Sequence, residues 1–390
     1  MREELKLVLS RFWPFFLLVV GVPLLSFGIW SLFPAKNLEV LVIDKTVPKT
    51  DYREHVGIFW ALNYDKFRPS SGEMYSVEKD YLGFFPSGKE DLGFKKDFSD
   101  QSPEQIRQEV KKKDVVFLAD TYGVFENDFK NQKDFRGGKK IYGGLHQSDI
   151  ELIKAAKEEG KVLIAEFNSM ASPTTNYLRS EFENQMGLKW TGWIGRHFDE
   201  MDTLIDTEIP KWLIKQFKES GRSWDFTGPG LVFLKDTGEM EVFEFQKDFE
   251  SKTPTIRTQK VNKHGYTLPQ VVPYPDWFDI VLIERDYEVI SYYDIGPTNE
   301  GLQRLRSMGL PRFFPAAIYR EVNGGKQYYF SGDFSDMENS LGAPYYAGLP
   351  YLWRGFYVVA DHTNRQSFYW NYYQPLISQI FEEVYRSKKN

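Results

Sequence analysis

"KVLIAEFNSMASPTTNYLRSEF" (residues 161–182) is the stretch whose reading decides the fold. An apolar run, Val162 to Ala165, stops on the carboxylate of Glu166. Asn168, Ser169 and a Pro173-Thr174 turn follow, and then a helical pattern begins. A buried strand that passes through a polar loop into a helix is half of a strand–helix–strand unit. Glu166 therefore stands where the chain leaves the sheet, on one lip of a crevice.

The same rhythm extends in both directions. "SDIELIKAAKEEGK" (148–161) predicts a helix, with Ser148 or Asp149 as cap, an apolar face through Ile150, Leu152, Ile153 and Ala156, and Gly160 as stop. "SPEQIRQEVKKK" (102–113) predicts another, with Ser102 capping and Pro103 in the first turn. It leads into the strand "DVVFLAD" (114–120). "LEVLVID" (38–44) predicts a strand, and 51–67 a helix that packs Val56, Phe59 and Trp60 inward. "KWTGWIG" (189–195) continues the rhythm. Later the pattern changes. Hairpins are predicted around Asp236-Thr237-Gly238 and Asn323-Gly324-Gly325, a strand at "WFDIVLIERD" (277–286), a helix at 299–311 and a C-terminal helix broken near Pro375. The fold class is α/β: a mostly parallel sheet with helices on both faces, an N-terminal transmembrane helix and β-hairpin insertions around 229–275. No linker divides residues 37–390.

Four apolar runs end on acids: Asp44, Asp120, Glu166 and Glu284. If the strands are parallel neighbours, these carboxylates converge at the crevice outside their carboxyl ends. There they could act as acid and base, bind a divalent cation through oxygen, or accept hydrogen bonds from sugar hydroxyls. The plainer alternative is that each caps a helix or ties down a loop. Tyr122 and Asn168 follow Asp120 and Glu166 closely enough to shape the same pocket. Arg196 and His197, after a glycine-containing strand, could bind an anion and shuttle protons. Asp333 and Asp336 follow a strand, and Asp361, His362, Asn364 and Arg365 cluster late in the chain.

Composition removes several classes. The net charge of −6 argues against nucleic-acid binding. The absence of cysteine removes disulfides, thiolate metal sites and thiol nucleophiles together. No G-x-S-x-G, Walker loop, H-E-x-x-H or strand-borne G-x-G-x-x-G is present. No metal or cofactor is expected. Aromatic residues make up 17% of the chain, which suits a large aromatic core or a surface that stacks on rings.

"FWPFFLLVVGVPLLSFGIWSLF" (12–33) carries no charge and is long enough to cross a bilayer. Trp13 and Trp30 stand near its ends, where interfacial aromatics belong. "SLFPAKN" is a poor cleavage site, so the segment reads as an uncleaved anchor behind a short tail, 1–11. A short tail and a large C-terminal domain fit a bacterial inner-membrane protein with residues 37–390 outside the cytoplasm.

The order "DVVFLADTYG … GG … KVLIAEFNSMASPT" resembles the class I glutamine amidotransferase-like fold. This is a flavodoxin-like sheet that also occurs in many uncharacterised, often membrane-anchored, bacterial proteins. The likeness covers roughly residues 38–200 and 280–335. Enzymatic members use a Cys at a strand–helix elbow with His and Glu partners. This chain has no Cys, so the resemblance implies the fold in a binding or repurposed form. Three functions follow as expectations. The first is a membrane-anchored accessory or sensor that binds a glycan or cell-envelope intermediate in the crevice of Asp44, Asp120, Tyr122, Glu166, Asn168, Arg196 and His197. The second is a glycoside hydrolase in which Glu166 and Glu284 are acid and nucleophile or base, which requires the two carboxyls about 5–9.5 Å apart. The third is a structural subunit that packs on a partner protein in a membrane complex.

Overall fold

The computed structural model describes residues 11–87, 92–129, 138–205, 208–260, 262–263, 265–337, 345–356 and 364–389. The chain opens with helix α1 (Arg11–Ser31), 21 residues, long and apolar enough to cross a membrane. Pro23 is accommodated just after a π-turn, Leu17–Gly21, which loosens the ladder that proline would otherwise break. Trp30, near the end of α1, packs against the body. It is buried, its indole N–H donates to Tyr64 O (2.8 Å), and its ring stacks on Tyr345.

The body begins with β1 (Val40–Asp44), α2 (Arg53–Tyr64), β2 (Tyr81–Phe85) and β3 (Phe94–Lys96). Then come α3 (Pro103–Lys111), β4 (Val115–Asp120), α4 (Gln147–Glu158), β5 (Val162–Ala165), α5 (Asn176–Met186) and β6 (Leu188–Phe198). The middle of the chain supplies α6 (Lys211–Glu219), the hairpin β7 (Gly230–Lys235) and β8 (Met240–Glu244), and β9 (Thr255–Thr258) with β10 (Val271–Pro273). β11 (Phe278–Ile283), β12 (Glu288–Asp294), α7 (Asn299–Ser307), β13 (Phe314–Val322), β14 (Gly325–Phe330), α8 (Leu349–Phe356) and α9 (Gln374–Ser387) complete it.

Among the described residues the main sheet has ten strands in the order β10-β9-β12-β13-β14-β5-β4-β1-β2-β3. It is mixed, not mostly parallel. Only the run β14-β5-β4-β1-β2 is parallel. The flanks pair antiparallel; β13 and β14 form a hairpin, whereas β12 reaches β13 through α7. A second sheet, β8-β7-β6-β11, is wholly antiparallel. "KWTGWIG" and "WFDIVLIERD" belong to this second sheet, so their strands do not continue the parallel one.

Alternation along β1 shows how the layers form. Val40 and Val42 face one core with α2 and α9, while Ile43 faces the other with α3 and α4. Each such buried aliphatic side chain contributes roughly 1.5–3 kcal/mol relative to exposure. Two helices start where their capping chemistry predicts, but α4 starts at Gln147 with His146 as its cap, so Ser148 and Asp149 lie inside it, Asp149 completing a capping box. Ser102 and Gln105 form a reciprocal cap at α3, and Thr175 caps α5. The second sheet shares both cores with the first. Trp193, Leu231 and Phe233 pack with the α2 side, and Val232 and Leu234 with the other. A bridge between Phe278 and Gly332 ties the start of β11 to the loop after β14.

Candidate functional site

Three of the four strand-end acids share one edge. Asp44 and Asp120 are cross-strand partners, and Glu166 follows Ala165, the partner of Leu118. Each is buried and hydrogen-bonded. Asp44 holds His55 Nδ1 at 2.5 Å and accepts from the Thr46 N–H (2.9 Å). Asp120 accepts from Thr46 Oγ1 (2.6 Å), the Tyr122 N–H (2.6 Å) and Asn168 Nδ2 (2.9 Å). Asn168 adopts φ 67°, a conformation asparagine tolerates, and so turns the chain back toward Asp120. Glu166 accepts from the N–H and Oγ of Ser335 (3.0 and 2.8 Å). Burial pushes the Asp120 carboxyl up to about 7, against hydrogen bonds from Thr46 and Asn168 that lower it. Burial likewise pushes Glu166 up to about 8, although Ser335 opposes it.

Above these acids stands a second set, carried by loops and helix starts. β14 runs parallel to β5, so the loop after it arrives at the same edge with Asp333, Ser335 and Asp336. α2 begins there with Arg53 and Glu54. Carboxylate oxygens of Glu54, Asp333 and Asp336 lie within 4.8 Å of one another. Arg53 holds Asp336 with two bonds, Nε at 2.7 Å and Nη2 at 2.5 Å. Arg365 pairs with Asp276 and donates to Asp333 O, with Asp336 at 3.2 Å and the Asp333 carboxylate at 3.5 Å. Burial, then the like charges of Asp336 and Asp333, push Glu54 well above the carboxylate range. Burial and Asp336 do the same to Asp333. Burial would also raise Asp276, but Arg365 and Arg196 outweigh it and hold its carboxyl below the usual value.

This arrangement leaves more acid than base at one point. Three close carboxylates suit a hard divalent cation or a ligand rich in hydroxyl donors. Burial and neighbouring like charges raise both Glu54 and Asp333, so either could also give a proton. Beside the acids, Tyr122 and Phe125 open onto a cleft of about 390 Å³. Its far wall is the second sheet, through Trp190, Ile194, Leu234 and the β7–β8 turn at Asp236-Thr237-Gly238.

The remaining predicted residues fall elsewhere. Arg196 lies at the rim, with Glu208 at 3.2 Å, Asp276 at 3.8 Å and its guanidinium over Phe198 and Trp277. His197 points the other way along β6. It is buried, and burial lowers it to about 4, so it stays neutral at pH 7. Glu284 is not in the crevice. Its side chain is 66% exposed, Arg320 lies at 3.4 Å, and its N–H donates to Gly187 O. Gly187 ends α5, which starts beside the crevice and carries the chain about 16 Å toward the opposite edge. The Glu166–Glu284 pair that a glycoside hydrolase would need is therefore not assembled. Asp361 and His362 lie outside the described residues. Arg53, Glu54 and Asp276 escaped the sequence reading. The signal for Glu54 was an acid in the first turn of a helix that follows a parallel strand.

Compared with known protein families and with curated proteins, the sequence matches none. Among solved structures it is similar to a β-galactosidase from Rahnella sp. R3, at 10% identity over 69% of this chain and 23% of that one, with a TM-score of 0.28. It is similar to a cytoplasmic protein of Salmonella typhimurium LT2, at 9% identity over 88% and 99%, with a TM-score of 0.37. A ThuA-like protein from Bacteroides uniformis ATCC 8492 matches at 10% identity over 77% and 84%, with a TM-score of 0.34. The chain spans under a quarter of the length of that β-galactosidase.

Proposed function

We propose that this chain is a membrane-anchored binding protein of the class I glutamine amidotransferase-like kind, without glutaminase chemistry. Its ligand is rich in hydroxyl groups, a glycan or cell-envelope intermediate, and it acts as an accessory or sensor in envelope or polysaccharide metabolism. α1 is the anchor, set in the bacterial inner membrane with the large domain outside the cytoplasm. One observation carries the reading: Glu54, Asp120, Asp333 and Asp336, with Arg53 and Arg365, meet at the carboxyl edge of the parallel strands. That edge is where open α/β sheets bind ligands. The carboxylates accept hydroxyl protons, the arginines hold the carboxylates in place, and Tyr122 lines the cleft beside them.

The test is a thermal-shift screen of the full chain in detergent, with oligosaccharides, envelope precursors and divalent cations. A ligand that binds the folded state raises the melting temperature. The expected result is a shift in wild type that disappears in Asp333→Asn and persists in Glu284→Gln. A screen in which nothing shifts the folded wild type overturns the reading. A shift that survives in Asp333→Asn moves the site away from the acids.

A further inference from the structure

The last two turns of α1 do not stand bare. Ala347 has both backbone groups taken by Ser26: its N–H donates to Ser26 O (3.2 Å), and its carbonyl accepts from Ser26 Oγ (2.8 Å). Tyr345 stacks on Trp30 with ring centroids 5.1 Å apart. The chain then enters α8 (Leu349–Phe356), where the Gly348 N–H donates to the Tyr64 hydroxyl (3.2 Å). Arg354 clamps α8 to the body, Nε to Trp370 O and Nη2 to Gln374 Oε1, both at 3.0 Å. Leu349 and Pro350 are buried, yet Tyr351, Leu352 and Phe356 are 75%, 55% and 71% exposed.

Depth decides what covers them. The apolar run ends at Phe33, seven residues beyond Ser26, or about 10 Å along a helix. A run that fills a hydrocarbon core of about 30 Å places Ser26 inside its boundary. Ala347, bonded to Ser26, is at the same depth. Backbone there must find its hydrogen bonds within the protein, and the two bonds between Ala347 and Ser26 meet that demand.

We infer that residues 345–356 form a second membrane-contacting element, with α8 in the lipid interface and Tyr351, Leu352 and Phe356 among headgroups and acyl chains. The occupant of this apolar face is the bilayer that α1 crosses, because the face is continuous with the foot of α1. Tyrosine, tryptophan and an aliphatic face beside an inward arginine are the composition of an interfacial helix. The inference rests on α1 being a membrane span.

Since the chain has no cysteine, single cysteines can be introduced and spin-labelled in the full chain, reconstituted in phosphatidylcholine–phosphatidylglycerol vesicles. The positions are Leu24→Cys on α1, Leu352→Cys and Phe356→Cys on α8, and Tyr177→Cys on α5 as an exposed reference. Collision with oxygen should exceed collision with a water-soluble nickel chelate at 24, 352 and 356, and the order should reverse at 177. If 352 and 356 behave like 177 while 24 stays oxygen-dominated, the inference fails and the membrane span stands. If 24 also behaves like 177, both fail. Dipolar broadening at 352 that vanishes on dilution with unlabelled chain would overturn it in favour of a second copy.

Discussion

Two rows of acids meet at the carboxyl edge of the sheet, and they differ in what surrounds them. Asp44, Asp120 and Glu166 sit at strand ends, buried, with neutral donors or a histidine around them. Glu54, Asp333 and Asp336 come from a helix start and a loop, and their partners are the arginines 53 and 365. The strand-end row braces the loops: through Ser335, Glu166 fixes the loop that carries Asp333 and Asp336, and through Thr46 and Asn168, Asp120 fixes two more. The loop-borne row is nearly as buried, Asp336 almost completely, but it crowds three carboxylates together and pairs them with arginines. A parallel sheet delivers carboxylates to one edge, where neutral donors and a histidine make them supports, and the arginine-paired cluster is left to residues that arrive by helix start and loop.

This contrast can be broken by experiment. Arg365→Ala should have the largest effect, because it strips Asp276, Asp333 and Asp336 of a 13% exposed counter-charge. Breaking such a pair from one side costs about 3–5 kcal/mol. Urea unfolding measures it, and a loss under about 1 kcal/mol would mean the arginine is not structural. Adding Asp276→Asn should recover part of the loss. Next, pH tests the strand-end row. Folded Glu166 keeps its proton up to about 8, from an ordinary value of 4.5, and Asp120 up to about 7 from 3.8. Between those limits the folded state binds more protons than the unfolded one. Stability is then fully present below about pH 4 and is lost as pH rises through 7 to 8. Melting temperatures should fall from pH 5 to pH 8, and Glu166→Gln should flatten the slope; a flat wild-type profile would contradict the assignment. Smaller still, Asp333→Asn removes a like charge and should stabilise the protein at pH 8 by about 1 kcal/mol while abolishing the ligand shift. Glu284→Gln, outside both rows, should stay within about 0.5 kcal/mol of wild type in the same melts.

Much of the support was legible in the sequence. The runs ending in Asp44, Asp120 and Glu166 announced a parallel core, and capping residues such as Ser102 marked where helices begin. Val56, Phe59 and Trp60 pack inward as their spacing predicts. The predicted hairpins also form, at β7–β8 and β13–β14. Legibility failed where pairing is long-range. "VLIE" has the same local pattern as "LIAE", yet β11 pairs antiparallel with β6, and Glu284 leaves at another edge. No local rule distinguishes these cases, because periodicity reports burial and not the identity of the neighbour. Arg53 and Glu54 look like ordinary first-turn residues until Asp333 and Asp336 arrive from nearly 280 positions later.

Trp30 has a last consequence. Its indole bond to Tyr64 O, its stacking on Tyr345 and the Lys66 ammonium 3.6 Å above its ring fasten the foot of α1 to the end of α2. Glu54 stands at the other end of that same helix, ten residues or about 15 Å away. α2 therefore works as a ruler. In a bilayer, a crevice fixed to such a ruler cannot wander on a tether, and its mouth is held at one distance from the anchor. Under the proposed function, a ligand must present its hydroxyls at that distance from the anchor, so reach becomes a criterion of selection alongside chemistry. On that reading, molecules carried on lipid or standing on the membrane surface are favoured over molecules free in solution.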